Sequence, residues 1–298
     1  MTTIQQEQTL NYFREHAGKW RLKAEGPLGS CINVIEQRND FVLQVLDEHP
    51  AVRSFLDVGC GTGELVCNAA KRGINVIGVD FSQEMTDLAT QKASDESIMK
   101  AKFVCSSIFD FDLQRKSYDL ISAIGFIEYI SQDEMNIFFD LVADALISGG
   151  SFVVGSRNRL FNLVSMNDFT LQELEAGSIE LLFKEAVRWA NANDVKEVLD
   201  IDCAPLQSSS IKHVKTTGID VSTRFQYSPL QLINLLRDRG LMVVEVYPVN
   251  VHGVTPVFGK ENAEVQASIA NLLQGYARHN TQLITQASTF MLHVKSID

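Results

Sequence analysis

Proline is scarce in this chain, six in 298 residues, and the eighteen glycines follow no repeat, which excludes collagen-like and low-complexity architectures. No stretch approaches the ~20 consecutive apolar residues of a membrane helix. The segment Met1 to Glu7 has neither the basic start nor the apolar run of a secretory signal, so a cytoplasmic protein that does not enter a membrane is expected. Positive charge is short as well: 26 Lys and Arg against 37 Asp and Glu leave a net charge of -11. A nucleic-acid binder needs a positive surface to displace counterions from phosphates, so that class is disfavoured. The five cysteines, Cys31, Cys60, Cys67, Cys105 and Cys203, form no CxxC pair, and none has a histidine at ligand spacing. Reduced thiols and no metal site are expected.

What is present is ordinary for a protein with a full core: 45% hydrophobic and 21% charged residues, in a length that allows one large domain or two modest ones. From about residue 50 the apolar period alternates between strand and helix. Strands are expected at Arg53 to Val58, Ile74 to Val79, Phe103 to Cys105, Tyr118 to Ile124 and Ser151 to Gly155. Helices are expected from Gly63 to Arg72, from an N-cap at Ser82 to about Lys92, and from Asp133 to Ile147. Such alternation makes βαβ units and a parallel sheet with helices on both faces.

The rhythm breaks after Asn158. Residues 168 to 202 are helical in pattern and acidic, nine Asp or Glu against three Lys or Arg. A loop is expected over 203 to 212, and Val221, Thr223, Phe225 and Tyr227 alternate like an edge strand. The α/β pattern resumes with a helix opened by Ser228-Pro229 and closed by Gly240, a strand at Leu241 to Val246, helix over 261 to 286 and a strand at Thr289 to Lys295. The expected organisation is an N-terminal arm or lid (1–50), a core of 51–159 with 227–298, and an inserted cap (160–226).

The segment richest in chemistry is Phe55-Leu56-Asp57-Val58-Gly59-Cys60-Gly61-Thr62-Gly63-Glu64. A strand runs to its carboxyl end, and three alternate glycines let the chain turn at positive φ and let a ligand touch bare backbone. In open α/β sheets ligands bind in that crevice. Asp80 ends the next strand, where a carboxylate can accept from two ribose hydroxyls. The spacing is GxGxG rather than the GxGxxG of dinucleotide sites, and Glu64 stands at the third fingerprint position. An acid there repels a pyrophosphate, which weighs against a nicotinamide dehydrogenase.

These residues, with Val79-Asp80-Phe81-Ser82 downstream, resemble the cofactor site of the class I S-adenosylmethionine-dependent methyltransferases over roughly residues 50 to 157, and more loosely 228 to 298. The resemblance implies a Rossmann-like α/β/α sandwich of about seven strands, mostly parallel with an antiparallel last strand, plus a helical insertion forming a cap. It implies S-adenosylmethionine as cofactor and S-adenosylhomocysteine as product. Gly59, Gly61 and Gly63 would line the methionine part, with Asp57 near its amino group. Asp80 would hold the ribose, and Phe81 and Met85 would pack near the adenine. Ser107, followed by Ile108, stands where relatives often carry an adenine-reading Asp. Ile124 and Tyr129 lie in the segment that relatives place beneath the reactive methyl.

Methyl transfer from a sulfonium is an in-line displacement, so a general base is needed only if the acceptor must lose a proton. His252, after the sixth strand, is the candidate base, or else a histidine satisfying loop carbonyls. Tyr129 either orients the acceptor by its hydroxyl or packs under the cofactor. His213 and His279 are expected on the surface or in packing. Arg157, Arg224 and Tyr227 converge over the cleft to suit an acidic or phosphate-bearing acceptor, or the arginines pair with the acidic insertion. Trp20, beside Arg21 and Lys23, is a lid residue or an anchor for the arm. The expected reaction is methyl transfer to O or N of a small-molecule acceptor. A non-methylating relative, a regulatory subunit and a protein methyltransferase remain open alternatives, and the sequence leaves the oligomeric state open.

Overall fold

Residues 4–24, 26, 32–207, 224–278 and 280–297 are described by the computed structural model of the chain. Alternation of apolar side chains sets the architecture. Along β1 (Ser54–Val58), Phe55 points to one face, and Leu56 and Val58 to the other. β4 (Tyr118–Ile124) repeats this with Leu120 against Ile121 and Ala123, and β5 (Leu146–Arg157) with Val153 against Phe152 and Val154. Both faces are apolar, so the sheet must be covered on both sides.

With β2 (Asn75–Asp80), β3 (Ala101–Cys105), β6 (Leu241–Val251) and β7 (Ala287–Ser296) there are seven strands, in the order β3-β2-β1-β4-β5-β7-β6. β7 runs antiparallel to both neighbours, and the β1, β2, β3, β4 and β5 pairings are parallel. The order reverses between β1 and β4, which opens the crevice at their carboxyl ends. One face is packed by α2 (Val34–Glu48), α3 (Glu64–Lys71) and α11 (Ala263–Ala277), the other by α5 (Gln132–Ala145), α8 (Ile179–Asn191) and α9 (Pro229–Arg237).

Caps fix the helix starts. Ser82 accepts from the Met85 N–H to open α4 (Gln83–Asp95), and Ser131 with Glu134, and Ser228 with Gln231, form capping boxes. The helix expected to reach Ile147 stops at Ala145, because Leu146 already pairs with Tyr118. After the short α6 (Asn162–Ser165), the acidic stretch from residue 168 divides at Gly177 (φ +68°) into α7 (Asp168–Glu175) and α8. The expected helix over 261–286 is α10 (Pro256–Glu261), α11 and a 3-10 turn at Thr281–Gln286.

Of the expected edge strand, Val221 and Thr223 lie outside the described residues, and in the described part Tyr227 makes only an isolated bridge, to Asn158. Its neighbour Phe225 instead donates its N–H to the carbonyl of Glu128. The amino-terminal arm contains α1 (Ile4–Ala24), which lays Thr9, Phe13, Ala17 and Trp20 along one stripe at helical spacing. Arg14 ties it to Glu84 of α4 at 3.0 Å, and Gln5 donates to the Tyr129 carbonyl.

Candidate active site

The glycine loop follows β1, and its three glycines all take positive φ: +71° at Gly59, +52° at Gly61 and +82° at Gly63. Gly63 has a second reason to be glycine, since a Cβ there would stand 2.8 Å from both Ala89 and Phe103. At Gly61 a Cβ would meet nothing within 4 Å, so the space beside it is open. That space is a cavity of about 690 Å³, in the middle of the usual range for small-molecule sites. Gly59, Cys60, Gly61, Thr62 and Glu64 form its wall at this end.

Two buried carboxylates sit against the loop. Asp80 accepts from the Gly61 N–H at 3.0 Å and the Ser82 N–H at 2.9 Å, so it shapes the loop while facing the cavity. Burial raises its pKa, although these backbone donors counter part of the effect. Asp57 accepts from the Ser122 hydroxyl. Burial, with the charges of Asp80 and Glu64 nearby, pushes its pKa up to about 7, against the help of Ser122. Glu64 accepts from the Thr62 hydroxyl and lies 3.7 Å from Lys92. Three acids with one lysine among them leave this end of the cavity suited to a positively charged ligand group.

Phe81, Met85, Ser107, Ile108 and Ile124 all line the same cavity. The Ser107 hydroxyl accepts from the Phe109 N–H at 3.3 Å. Asp110, one turn further on, also reaches the wall, a carboxylate that the reading of Ser107 alone missed.

The opposite end is basic and aromatic. Tyr129, in a 3-10 turn at Ile127–Tyr129, meets Phe13 edge-on at 5.4 Å and lies 5.2 Å from the Arg224 guanidinium. Burial pushes its phenol up to about 12. Trp20 and Phe13 bring α1 over the cavity as one wall. Glu128 is fully buried and accepts from Arg224 Nη2 at 2.7 Å and from the Arg157 backbone N–H at 2.9 Å. Burial works to raise its pKa, but Arg224, Arg38 and Arg157 outweigh that and hold it below the usual carboxylate range. Arg38 of α2, 3.9 Å from Glu128, also lines the cavity. Glu128 and Arg38 were missed because no motif links them: Glu128 is a lone acid in an apolar stretch, and Arg38 one of many charges on an amphipathic helix.

Not every expected site residue arrives. His252 does not line the cavity; its ring stacks near Phe161 at 4.6 Å, and burial lowers its pKa to about 4. Its buried Nδ1 has no partner among the described residues. The reason lies in β6, which runs five residues past Val246 to Val251 and carries His252 at the outer side of the sheet, beyond β7. Tyr227 is buried away from the cavity with its hydroxyl unpartnered among the described residues, and Arg157 stands behind the wall, its guanidinium 5.9 Å from the Phe169 ring centre. Of residues 160–226, Arg224 alone among the described ones lines the cavity. His213, His279 and the side chain of Lys23 lie outside the described residues. Among the described residues no group of three or more His, Cys, Asp and Glu could hold a metal ion, and no helix is long and apolar enough to cross a membrane.

A seven-stranded sheet in this order, with a glycine loop after β1 and an acid ending β2, defines a class I S-adenosylmethionine-dependent methyltransferase fold. Residues 55–150 match the family model described as a methyltransferase domain. Among curated proteins, the chain is 31% identical over 115 residues to the probable fatty acid methyltransferase of Mycobacterium tuberculosis, covering 39% of this chain and 26% of that one. It is 30% identical over 105 residues to the ubiquinone biosynthesis O-methyltransferase of Nitrobacter winogradskyi, covering 35% of this chain and 38% of that one. The match thus spans well under two thirds of these relatives' lengths. Among solved structures, magnesium protoporphyrin IX methyltransferase from Synechocystis PCC 6803 with bound S-adenosylmethionine aligns with a TM-score of 0.57 at 13% identity, covering 98% of this chain and 97% of that one.

Proposed function

We propose that the chain transfers a methyl group from S-adenosylmethionine to an oxygen or nitrogen of a small-molecule acceptor. The observation that carries this reading is the pair of buried carboxylates, Asp57 and Asp80, flanking bare backbone at one end of a cavity whose remainder is roofed by α1. Asp57 would hold the amino group and Asp80 the ribose hydroxyls. Phe81, Met85 and Ile108 would enclose the adenine, with Ser107 at its edge and Ile124 beneath the sulfonium end. When bound, the cofactor supplies an activated methyl group on a good leaving group.

The chain's own part is positioning. Phe13, Trp20 and Tyr129 wall the acceptor end and exclude water, and a Tyr129 phenol held at about 12 orients an acceptor as a hydrogen-bond donor rather than as a base. The acids nearby are committed: Glu134 accepts from Ser131 and Gln6, and Glu128 from Arg157 and Arg224. An acceptor that brings its own lone pair therefore suits the site best. A net charge of -11 supports a metabolite over nucleic acid, and the free thiols at Cys60, Cys67, Cys105 and Cys203 support a cytoplasmic setting.

Calorimetry with S-adenosylhomocysteine, S-adenosylmethionine and NAD tests the reading. The two adenosyl ligands are expected to bind and to raise the melting temperature, and Asp80→Asn to weaken them by about 1–3 kcal/mol through loss of charged hydrogen bonds. Binding of NAD alone would overturn the assignment.

A further inference from the structure

The cavity has two electrical ends. Around the glycine loop its wall carries Asp57, Glu64 and Asp80; at the other end it carries Arg38 and Arg224, with Arg157 behind them. Glu128 is the carboxylate that acts on all three arginines, and among the described residues its one negative charge leaves two positive charges without a carboxylate of their own, since Glu134, also on the wall, is taken by Ser131 and Gln6. Its oxygens are already used: Oε1 by the Arg157 backbone N–H, Oε2 by Nε and Nη2 of Arg224. Arg38 is the least well matched. It stands 3.9 Å from Glu128, spends Nη2 on the Thr289 hydroxyl at 3.0 Å, and its buried Nε has no partner among the described residues. That Nε is closed off from the cavity, so what favours an incoming anion is the part of the guanidinium that still faces it, largely withdrawn from water and short of counter-charge. The arginine side chains keep 14% and 16% of their surface exposed, at Arg38 and Arg224 respectively, and both line the cavity. Between the two ends the wall is apolar: Leu10, Phe13, Ile35, Phe126, Ile130 and Ile137.

We propose that the arginine end recognises a carboxylate on the methyl acceptor, so that the acceptor is an anionic small molecule with an apolar body. This rests on the methyltransferase reading above. S-adenosylmethionine brings one carboxylate of its own, which answers one of the two surplus charges; the second is left for the acceptor. The aromatic ring of Tyr129 against Arg224 removes water from that contact and strengthens it.

The test is calorimetry on the full chain saturated with S-adenosylhomocysteine, using benzoate, 1-naphthoate and octanoate, each paired with its neutral amide. At least one carboxylate is expected to bind about tenfold or more tightly than its amide, the worth of a charged hydrogen bond. Arg224→Gln is expected to erase that preference while S-adenosylhomocysteine still binds, which also reports that the variant is folded. Equal binding of every carboxylate and its amide, or no binding of either, overturns the anion site and leaves the cofactor reading standing. So does a preference that survives Arg224→Gln. Failure of S-adenosylhomocysteine itself to bind overturns the cofactor reading instead, and the anion site with it.

Discussion

The acidic and basic ends of the cavity are built by opposite rules. At the glycine loop, Asp57 and Asp80 are drawn out of water with hydroxyl and backbone donors but no cation of their own among the described residues. At the far end, three arginines come with a built-in counter-ion, Glu128. The first end gains when a cationic ligand arrives, and loses little if Asp57 is removed, though Asp80 also holds the loop through Gly61 and Ser82. The second collapses electrostatically if its single acid is taken away. Ligand recognition and wall integrity are therefore separable at Asp57 and fused at Glu128.

Glu128→Gln is the strongest way to break this contrast. It preserves shape and removes the charge, leaving Arg38, Arg157 and Arg224 withdrawn from water without a counter-charge. The expected loss of unfolding free energy is about 3–5 kcal/mol, measured by urea denaturation. A loss below about 1 kcal/mol would mean that something other than Glu128 neutralises the cluster.

At the acidic end the sign reverses. The folded pKa of Asp57, about 7, lies above its ordinary 3.8, so the folded state holds a proton that the unfolded chain has released between those values. Stability from this group is complete below about pH 4 and is lost as pH rises through 7. Asp57→Asn has no such term. Its unfolding free energy relative to the parent is expected to rise between pH 4 and pH 8 by on the order of 1–3 kcal/mol, while S-adenosylhomocysteine binding weakens. Parallel stability profiles for the two proteins would show that Asp57 ionises freely, and the contrast between the ends would fail.

The same contrast explains what the sequence disclosed. Asp57, the three glycines and Asp80 lie within one βαβ unit, so their spacing is fixed by a strand, a turn and a helix and can be counted off the chain. The strand-helix alternation and the cap at Ser82 are local in the same sense. The basic end draws on α2, the exit of β4, the end of β5 and Arg224, and no spacing rule joins residues 38, 128, 157 and 224. Arg157 and Arg224 were legible as cations near a cleft, but their common partner was not. The arm was expected as a lid and residues 160–226 as a cap; the arm's helix does bring Phe13 and Trp20 to the cavity wall, whereas of 160–226 Arg224 alone among the described residues reaches it.

His252 stands outside the cavity, and replacing it costs least. It was placed near the chemistry by its position after a strand end, but β6 is the edge strand, next to β7 alone, and its exit does not reach the crevice between β1 and β4. With a pKa of about 4 against its ordinary 6.5, the ring is neutral at pH 7, and its Nδ1 gains nothing from the described residues around it. His252→Phe keeps an aromatic ring against Phe161 and is expected to change stability at pH 7 by no more than about 0.5 kcal/mol, with S-adenosylhomocysteine affinity unaltered. Acid separates the two proteins. As pH falls from 6.5 toward 4 the unfolded histidine takes up a proton that the folded one refuses, so the parent loses stability and the variant does not, by on the order of 1–3 kcal/mol. That slope is opposite to the one from Asp57 over an overlapping range. A double variant, Asp57→Asn with His252→Phe, should therefore flatten the profile from both sides. An unchanged acid response in His252→Phe would mean that the ring is protonated in the folded chain, which would return it to the list of candidate bases.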